Sequence, residues 1–139
     1  ARLGHVHVEE HVGGLAAEPD QGALEKMRRL RDEFEAAALT AIPGSRINGA
    51  GAERLPNTTN LFVPGIPSDF LMDNVPLFCV SNGSACNTGA IEPSYVLQAM
   101  RLPFDDARNC IRISTSVLTS ESELRAFIDA ICVARRNLP

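Results

Sequence analysis

Four cysteines are the side chains of this 139-residue chain best suited to covalent chemistry: Cys79, Cys86, Cys110 and Cys132. They are far apart and never spaced C-x-x-C, which argues against a zinc ribbon or a thioredoxin-type redox pair. Cys79 and Cys110 lie in or beside apolar runs, and Cys132 follows Ile128 by one helical turn, so we predict that these three are core residues. Cys86 has different neighbours.

Cys86 lies within residues 81–90 (SNGSACNTGA), a segment that contains no large apolar side chain. This composition predicts an extended loop that cannot bury the thiol well. An accessible thiol that ionises is a nucleophile, so Cys86 is a candidate reactive residue. The alternative is an incidental loop cysteine, because a cysteine outside a metal or redox motif is weak evidence for chemistry.

The elements that hold this loop can be predicted from hydrophobic spacing. Apolar residues recur at three- and four-residue steps between Leu24 and Ala41, which predicts an amphipathic helix over about 21–41. Shorter helices are predicted around 70–72 and from Pro93 onward, and a last helix follows Ser120, which forms a capping box with Glu123. Strands are predicted at 46–47, 60–63, 76–80 and 110–114. This order indicates an α+β fold, with helices packed on a small, largely antiparallel sheet.

Composition narrows the class of protein. The formal net charge is −4 and no run of like charges occurs, so binding to nucleic acid or to an anionic membrane surface is not expected. No apolar stretch reaches the roughly 20 residues of a membrane-spanning helix, and no signal-peptide pattern opens the chain. The cysteine usage suits a reducing compartment, so we expect a cytoplasmic location.

The segment around Cys86 resembles the active-site loop and following helix of the cysteine desulfurases, pyridoxal-phosphate enzymes of the class V aminotransferase family. The resemblance is carried by residues 81–86 (SNGSAC), Gly89 and residues 92–100 (EPSYVLQAM). Shorter matches follow in family order at 47–49, 55–58, 60–61, 64–65 and 111–114. The resemblance implies a C-terminal small domain like that of fold-type I enzymes over residues 21–139, with residues 1–20 as an N-terminal extension.

The resemblance implies roles for two residues. In the family, a loop thiolate attacks the sulfur of L-cysteine and keeps it as a persulfide for iron–sulfur cluster assembly or other sulfur transfer, and Cys86 matches that cysteine. The extended loop resembles that of the family group with a long, mobile cysteine loop. Arg112 matches the arginine that holds the substrate carboxylate, a role for which the guanidinium fork is suited. The alternative is a strand arginine whose head lies in solvent.

The chain also departs from the family pattern. The family's cofactor requires a lysine, and the only lysine here is Lys26, in a charged stretch unlike the family's cofactor segment. The resemblance implies that the pyridoxal phosphate pocket belongs to a large domain outside these residues, so we expect no cofactor site and no turnover from this chain alone. Residues 115–118 (TSVL) also stand where the family tends to carry a second basic residue.

The N-terminal residues 5–12 (HVHVEEHV) alternate in polarity, which predicts a strand. His5 and His7 would share one face, and with His11 or Glu9 they could form a metal site of the His/carboxylate type. A strand that covers an exposed sheet edge is the favoured alternative.

Three hypotheses for function follow. The favoured one is a desulfurase small domain that works with a cofactor-bearing large domain and passes sulfur to an acceptor protein. The second is a stand-alone sulfur-carrier or protein-interaction domain that receives sulfur by thiol exchange. The third is a structural module that forms a homodimer through an exposed apolar patch.

Overall fold

The computed structural model describes residues 20–83 and 94–138. Cys86 and the predicted N-terminal strand, with His5, His7 and His11, lie outside these residues. The elements in chain order are α1 (Gln21–Ala41), β1 (Arg46–Ile47), β2 (Thr58–Phe62), α2 (Ser68–Asn74), α3 (Tyr95–Ala99), α4 (Phe104–Arg108), β3 (Cys110–Ser114) and α5 (Glu121–Arg136). The predicted α+β fold class is confirmed.

The three strands form an antiparallel sheet in the order β1-β2-β3. Ile111 and Ile113 of β3 are buried, whereas Arg112 and Ser114 are exposed. Because successive strand residues point to opposite faces, one face of the sheet joins the core and the other presents Arg112. The Arg112 face is polar at its middle, and at one end it carries a second, smaller core of Phe62, Leu97, Ala107 and Cys110.

The main core lies between the sheet and the two long helices. Leu30, Phe34 and Ala38 of α1 and Phe127 and Ile131 of α5 are almost fully buried. Full burial of each large apolar side chain contributes roughly 1.5–3 kcal/mol, so this layer supplies most of the stabilisation. Among the described residues, no helix is both long enough and apolar enough to span a membrane.

The ends of the long helices are capped as their sequences require. The Asp20 carboxylate accepts a hydrogen bond from the Ala23 N–H at 2.7 Å and caps α1. The predicted capping box of α5 is confirmed, since Ser120 Oγ accepts from the Glu123 N–H at 3.3 Å and Glu123 Oε2 accepts from the Ser120 N–H at 2.7 Å. These bonds satisfy amides that have no partner inside their helix.

The predicted strand over 76–80 is wrong, and with it the prediction that Cys79 is a core residue. Leu77 is 92% exposed and Cys79 is exposed. Phe78 and Val80 are partly buried against the main core, and the Phe78 ring centroid lies 4.9 Å from that of Phe127. The segment runs beside β3 but joins it only through the single bridge between Ser81 and Arg112. A short continuous apolar run is typical of a strand that is buried on both faces. Here only one side of the segment is covered, so the prediction failed.

Smaller corrections concern element bounds. β2 begins at Thr58 and ends at Phe62, rather than spanning 60–63. α2 begins at Ser68 and ends at Asn74, so it extends the predicted helix around 70–72 by two residues at each end, and Pro67 is its N-cap. Residues 103–109, where the sequence predicted no helix or strand, contain the short helix α4, whose acidic first turn and Arg108 in the last turn suit the helix dipole.

Candidate functional site

A cavity of about 320 Å³ opens on the polar side of the sheet. Its wall is formed by β2, β3, α3 and the loop after β1. The polar side chains in the wall are Asn48, Arg54, Thr58, Asn60, Ser94 and Arg112, and the apolar ones are Leu55, Val96, Leu97 and Met100. A cavity wall that combines apolar side chains with convergent polar groups is typical of a small-molecule site.

Arg112 lies at the middle of β3, and its side chain lines this cavity. Its backbone is held firmly, because its N–H donates to the Ser81 carbonyl at 2.6 Å and its C=O accepts from the Ser81 N–H at 3.1 Å. Within residues 20–83 and 94–138 its guanidinium makes no ion pair. A cationic fork in a cavity wall is suited to bind a carboxylate through two parallel hydrogen bonds.

Arg54, the second arginine of the cavity wall, is held in an ion pair with Glu35. Its Nη1 and Nη2 donate to the two carboxylate oxygens of Glu35 at 2.6 and 3.0 Å, and Thr59 Oγ1 donates to the same carboxylate at 2.7 Å. The hydrogen bond to Glu35 raises the pKa of Arg54. This pair fixes the cavity loop to α1 and β2, and a further bond from Arg31 Nη1 to the Leu55 carbonyl, 2.8 Å long, anchors the same loop.

The two described residues that flank the segment containing Cys86 both lie at this cavity. Gly83 and Ser94 both line it, and a Cβ atom at Gly83 would lie 3.5 Å from the Ser94 side chain. Gly83 adopts a φ of 72°, a left-handed conformation that glycine adopts without strain. Its N–H donates to Ser81 Oγ at 3.0 Å. Cys86 belongs to the segment that connects these two residues and is not itself described.

The cysteines in the described ranges differ in environment. Cys110 is fully buried, and burial raises the pKa of its thiol. This confirms the core prediction for Cys110. Cys132 is half-buried and packs against the main core, whereas Cys79 is exposed. No group of three His, Cys, Asp or Glu side chains in the described ranges could hold a metal ion.

Lys26 is the lysine that a pyridoxal phosphate site in this chain would have to use. It is exposed on α1, its Nζ donates to the Val117 carbonyl at 2.8 Å, and it is not part of the cavity wall around Arg112. The chain has no other lysine. The residues present therefore do not fit pyridoxal phosphate, which needs a lysine beside the substrate-binding groups.

Sequence reasoning missed two features of this site. Asn48 and Asn60 line the cavity and bond to each other, with Asn48 Nδ2 donating to Asn60 Oδ1 at 2.6 Å. Asn60 could have been recognised as a cavity residue from its position opposite Arg112 on the neighbouring strand. That position follows only from the strand register, which the sequence does not give. The bond between Glu35 and Arg54 joins a helix to a loop, and no sequence spacing indicated it.

Comparison with curated proteins shows consistent relatives, although no family model matches the chain. A cysteine desulfurase from Trichormus azollae is 37% identical over 137 residues, covering 94% of this chain and 34% of that protein. A cysteine desulfurase from Cereibacter sphaeroides is 38% identical over 138 residues, covering 94% of this chain and 35% of that protein. The chain thus spans about a third of the length of these relatives.

Solved structures agree with this relationship. The X-ray structure of a NifS-like protein from Rickettsia africae superposes with a TM-score of 0.70 at 26% identity, covering 84% of this chain and 30% of that one. A second NifS-like protein superposes with a TM-score of 0.65 at 25% identity. Fold and sequence therefore place this chain in the cysteine desulfurase family, as the homologue of one segment of those proteins.

Proposed function

We propose that this chain is the C-terminal small domain of a cysteine desulfurase, in which Arg112 holds the carboxylate of L-cysteine and Cys86 accepts its sulfur as a persulfide. The observation that carries the proposal is the Arg112 guanidinium, which makes no ion pair in the described ranges and lies in a cavity wall that also includes Gly83 and Ser94. Those two residues flank the segment that contains Cys86.

Chain connectivity supports a meeting of the thiol and the substrate. Cys86 follows Gly83 by three residues, and three peptide units span at most roughly 11 Å. A carboxylate bound to Arg112 fixes one end of the amino acid, and the thiol needs to reach only its other end. A loop between two anchored ends can deliver a thiol to a substrate and then present its sulfur to an acceptor protein.

The sulfur transfer that we assign to Cys86 is a substitution at sulfur. The Cys86 thiolate forms an S–S bond with the substrate sulfur, and the C–S bond of L-cysteine breaks. The carbon keeps the bonding electrons and, after taking up a proton, leaves as alanine. A thiolate is the required form of the nucleophile.

The electrons of the C–S bond need an acceptor, and the side chains described in the cavity wall do not include one. The family uses pyridoxal phosphate, and Lys26 is not placed to hold it beside Arg112. We therefore assign the cofactor to a large domain that packs on the cavity side of this chain. The persulfide product and the thiol chemistry suit the reducing cytoplasm, where iron–sulfur cluster assembly or another sulfur acceptor would take the sulfur.

A second candidate function is a sulfur carrier that takes its sulfur from another persulfide by thiol exchange. The observation that favours it is the continuous apolar core between the sheet, α1 and α5, which forms without any contribution from a cofactor-binding domain. Such a carrier would need an accessible thiol and no pyridoxal phosphate.

Sulfur delivered to Cys86 can separate the two functions. The chain is incubated with L-cysteine and pyridoxal phosphate, with and without a lysine-bearing large domain from a relative, and separately with a small-molecule persulfide. Peptide mass mapping then locates the added sulfur atom. The desulfurase function predicts sulfur on Cys86 only with the large domain, together with alanine. Sulfur on Cys86 from the small persulfide alone supports the carrier, and sulfur on Cys79 in preference to Cys86 contradicts both.

A further inference from the structure

Asn60 and Arg112 lie directly opposite each other on β2 and β3. The backbone of Arg112 bonds to Ser81 on the outer edge of β3, and the carbonyl of Asn60 accepts from the Asn48 N–H at 2.9 Å on the other edge of β2. They therefore form a non-hydrogen-bonded antiparallel pair, in which facing side chains approach most closely, with Cβ atoms roughly 4.5–5.5 Å apart. Both side chains line the same cavity.

Hydrogen bonds behind the cavity determine which end of the Asn60 amide faces it. Cys110 Sγ donates to the Asp106 carbonyl at 3.2 Å, so the sulfur acts as the acceptor for Asn48 Nδ2 at 3.1 Å. The same Nδ2 donates to Asn60 Oδ1 at 2.6 Å. An amide oxygen and nitrogen are assigned from their partners, and this series of donors and acceptors directs the Asn60 oxygen toward Asn48. The Asn60 NH₂ group is left for the cavity.

The other polar groups of the wall are engaged elsewhere. Arg54 is bound by Glu35. The Thr58 hydroxyl donates to Asn57 Oδ1 at 3.2 Å, and Ser94 Oγ accepts from the Val96 N–H at 3.3 Å as the cap of α3. Asn60 lies directly opposite Arg112 in the strand register, and within the described ranges its NH₂ group has no partner in the cavity wall.

We propose that Asn60 is a substrate-binding residue whose NH₂ group donates to the same carboxylate that Arg112 holds, and that Asn48 and Cys110 are positioning residues that keep this donor facing the cavity. The proposal rests on the proposed function, because it extends the carboxylate site of Arg112. A carboxylate accepts about four hydrogen bonds, so it can take the arginine fork and an amide donor together. A neutral donor adds affinity for the anion without repelling the arginine.

The test is a titration of the whole chain with L-alanine, the carboxylate product of the proposed reaction, followed by NMR of the side-chain amides and of Arg112 Nε–H. The Asn60 NH₂ signals should shift with the same apparent Kd as the Arg112 signal. Asn60→Asp keeps an oxygen that accepts from Asn48 but replaces the donor with a negative charge beside Arg112. We expect it to weaken L-alanine binding roughly tenfold or more. Asn74→Asp, on the exposed end of α2, is the matched control and should bind normally.

The positioning role is tested at Cys110, which does not line the cavity. Cys110→Ala removes the acceptor that orients Asn48, so the Asn60 amide is free to turn and the affinity for L-alanine should fall several-fold. Cys110→Ser keeps a group that both donates and accepts, and it should restore most of the affinity. Thermal unfolding of each variant shows whether it is folded at the titration temperature. A purely structural role predicts that both variants change Tm while their affinities for L-alanine remain equal to that of the wild type.

The outcomes separate this proposal from the proposed function. Unchanged binding in folded Asn60→Asp, together with loss of binding in Arg112→Ala, overturns the role of Asn60 and leaves that of Arg112 intact. Failure of the wild-type chain to bind L-alanine overturns the carboxylate site, and with it the role of Asn60. Sulfur transfer to Cys86 is measured separately and does not depend on either titration.

Discussion

Glu35 on α1 holds Arg54 of the cavity loop by two hydrogen bonds of 2.6 and 3.0 Å, and both side chains are largely buried. The pair lies where the main core meets the polar side of the sheet, because Thr59 of β2 donates to the same carboxylate. It neutralises one of the two arginines in the cavity wall and leaves the other, Arg112, for a ligand.

Removal of this carboxylate should destabilise the fold strongly. Glu35→Ala leaves the Arg54 charge and the Thr59 hydroxyl without their acceptor, and we expect a loss of about 3 kcal/mol in the free energy of unfolding. Glu33→Ala on the same helix is the matched control. It breaks an exposed pair with Arg29, 3.5 Å long, and should cost about 0.5 kcal/mol or less. Urea unfolding measures both, and equal losses in the two variants would contradict the assigned role of the buried pair.

Acid should weaken the start of α5 through Glu123. Hydrogen bonds from the backbone N–H and the hydroxyl of Ser120 lower the pKa of the Glu123 carboxyl. A group whose pKa is depressed on folding contributes stability above its unfolded pKa and loses it as pH falls through its folded pKa. Wild type should therefore unfold at a higher urea concentration than Glu123→Gln at neutral pH. The two midpoints should converge once the pH falls below the folded pKa of Glu123. A constant difference across that pH range would refute the prediction.

Cysteine reactivity follows from the burial of each thiol. The sequence predicted that Cys86 is accessible and that the other three cysteines are core residues, but Cys79 is exposed. We now expect Cys86 and Cys79 to react with iodoacetamide well before Cys132, and Cys110 to react last, because it is buried and its pKa is raised. Timed labelling with peptide mass mapping gives the order, and labelling in denaturant should remove the differences. Rapid labelling of Cys110 in the folded chain would show that its hydrogen bonds with Asn48 and Asp106 are not formed in solution.

Several apolar side chains are exposed, and residues 1–19 are a candidate segment to cover them. Leu77, Tyr95 and Leu118 are 92%, 77% and 87% exposed, more than isolated surface residues need. We predict that the N-terminal residues cover part of this surface or that it is used in self-association. Deletion of residues 1–19 should change the sedimentation coefficient or promote aggregation. Unaltered sedimentation and solubility would exclude the covering role.

The sequence predicted the long elements well because their signals are local. The bounds of α1 follow from apolar residues at helical spacing, and the start of α5 follows from a capping box that two residues specify. The strand at Cys110–Ser114 was also predicted with its observed bounds. Each of these elements buries one clear face, so its pattern and its environment agree.

The features that were missed depend on contacts between distant segments. The exception is α4, a helix of five residues that is too short to show a clear helical period in its sequence. The segment around Cys79 has a covered side and an exposed side that its apolar composition does not distinguish. The position of Asn60 opposite Arg112 depends on strand register, which is set by the whole fold.

The resemblance to cysteine desulfurases identified Arg112 and Cys86 from motifs, and the structure contributes the surroundings of Arg112. Its cavity, its lack of an ion pair among the described side chains and its cross-strand neighbour are observations that no motif contains. The role of Cys86 stays a prediction, as does the metal-site alternative at His5, His7 and His11, since these residues lie outside the described ranges.

The kinetics of Arg112→Lys in a reconstituted reaction test the central claim most directly. The chain is mixed with a lysine-bearing large domain, pyridoxal phosphate and L-cysteine, and alanine is measured against substrate concentration. Lysine keeps the charge but cannot make the two parallel hydrogen bonds of arginine, so KM for L-cysteine should rise roughly tenfold or more. Arg125→Lys, in an exposed pair with Glu121, should leave both constants unchanged. If Arg112→Lys turns over L-cysteine with the wild-type KM and kcat, Arg112 does not hold the substrate and the account of this cavity is wrong.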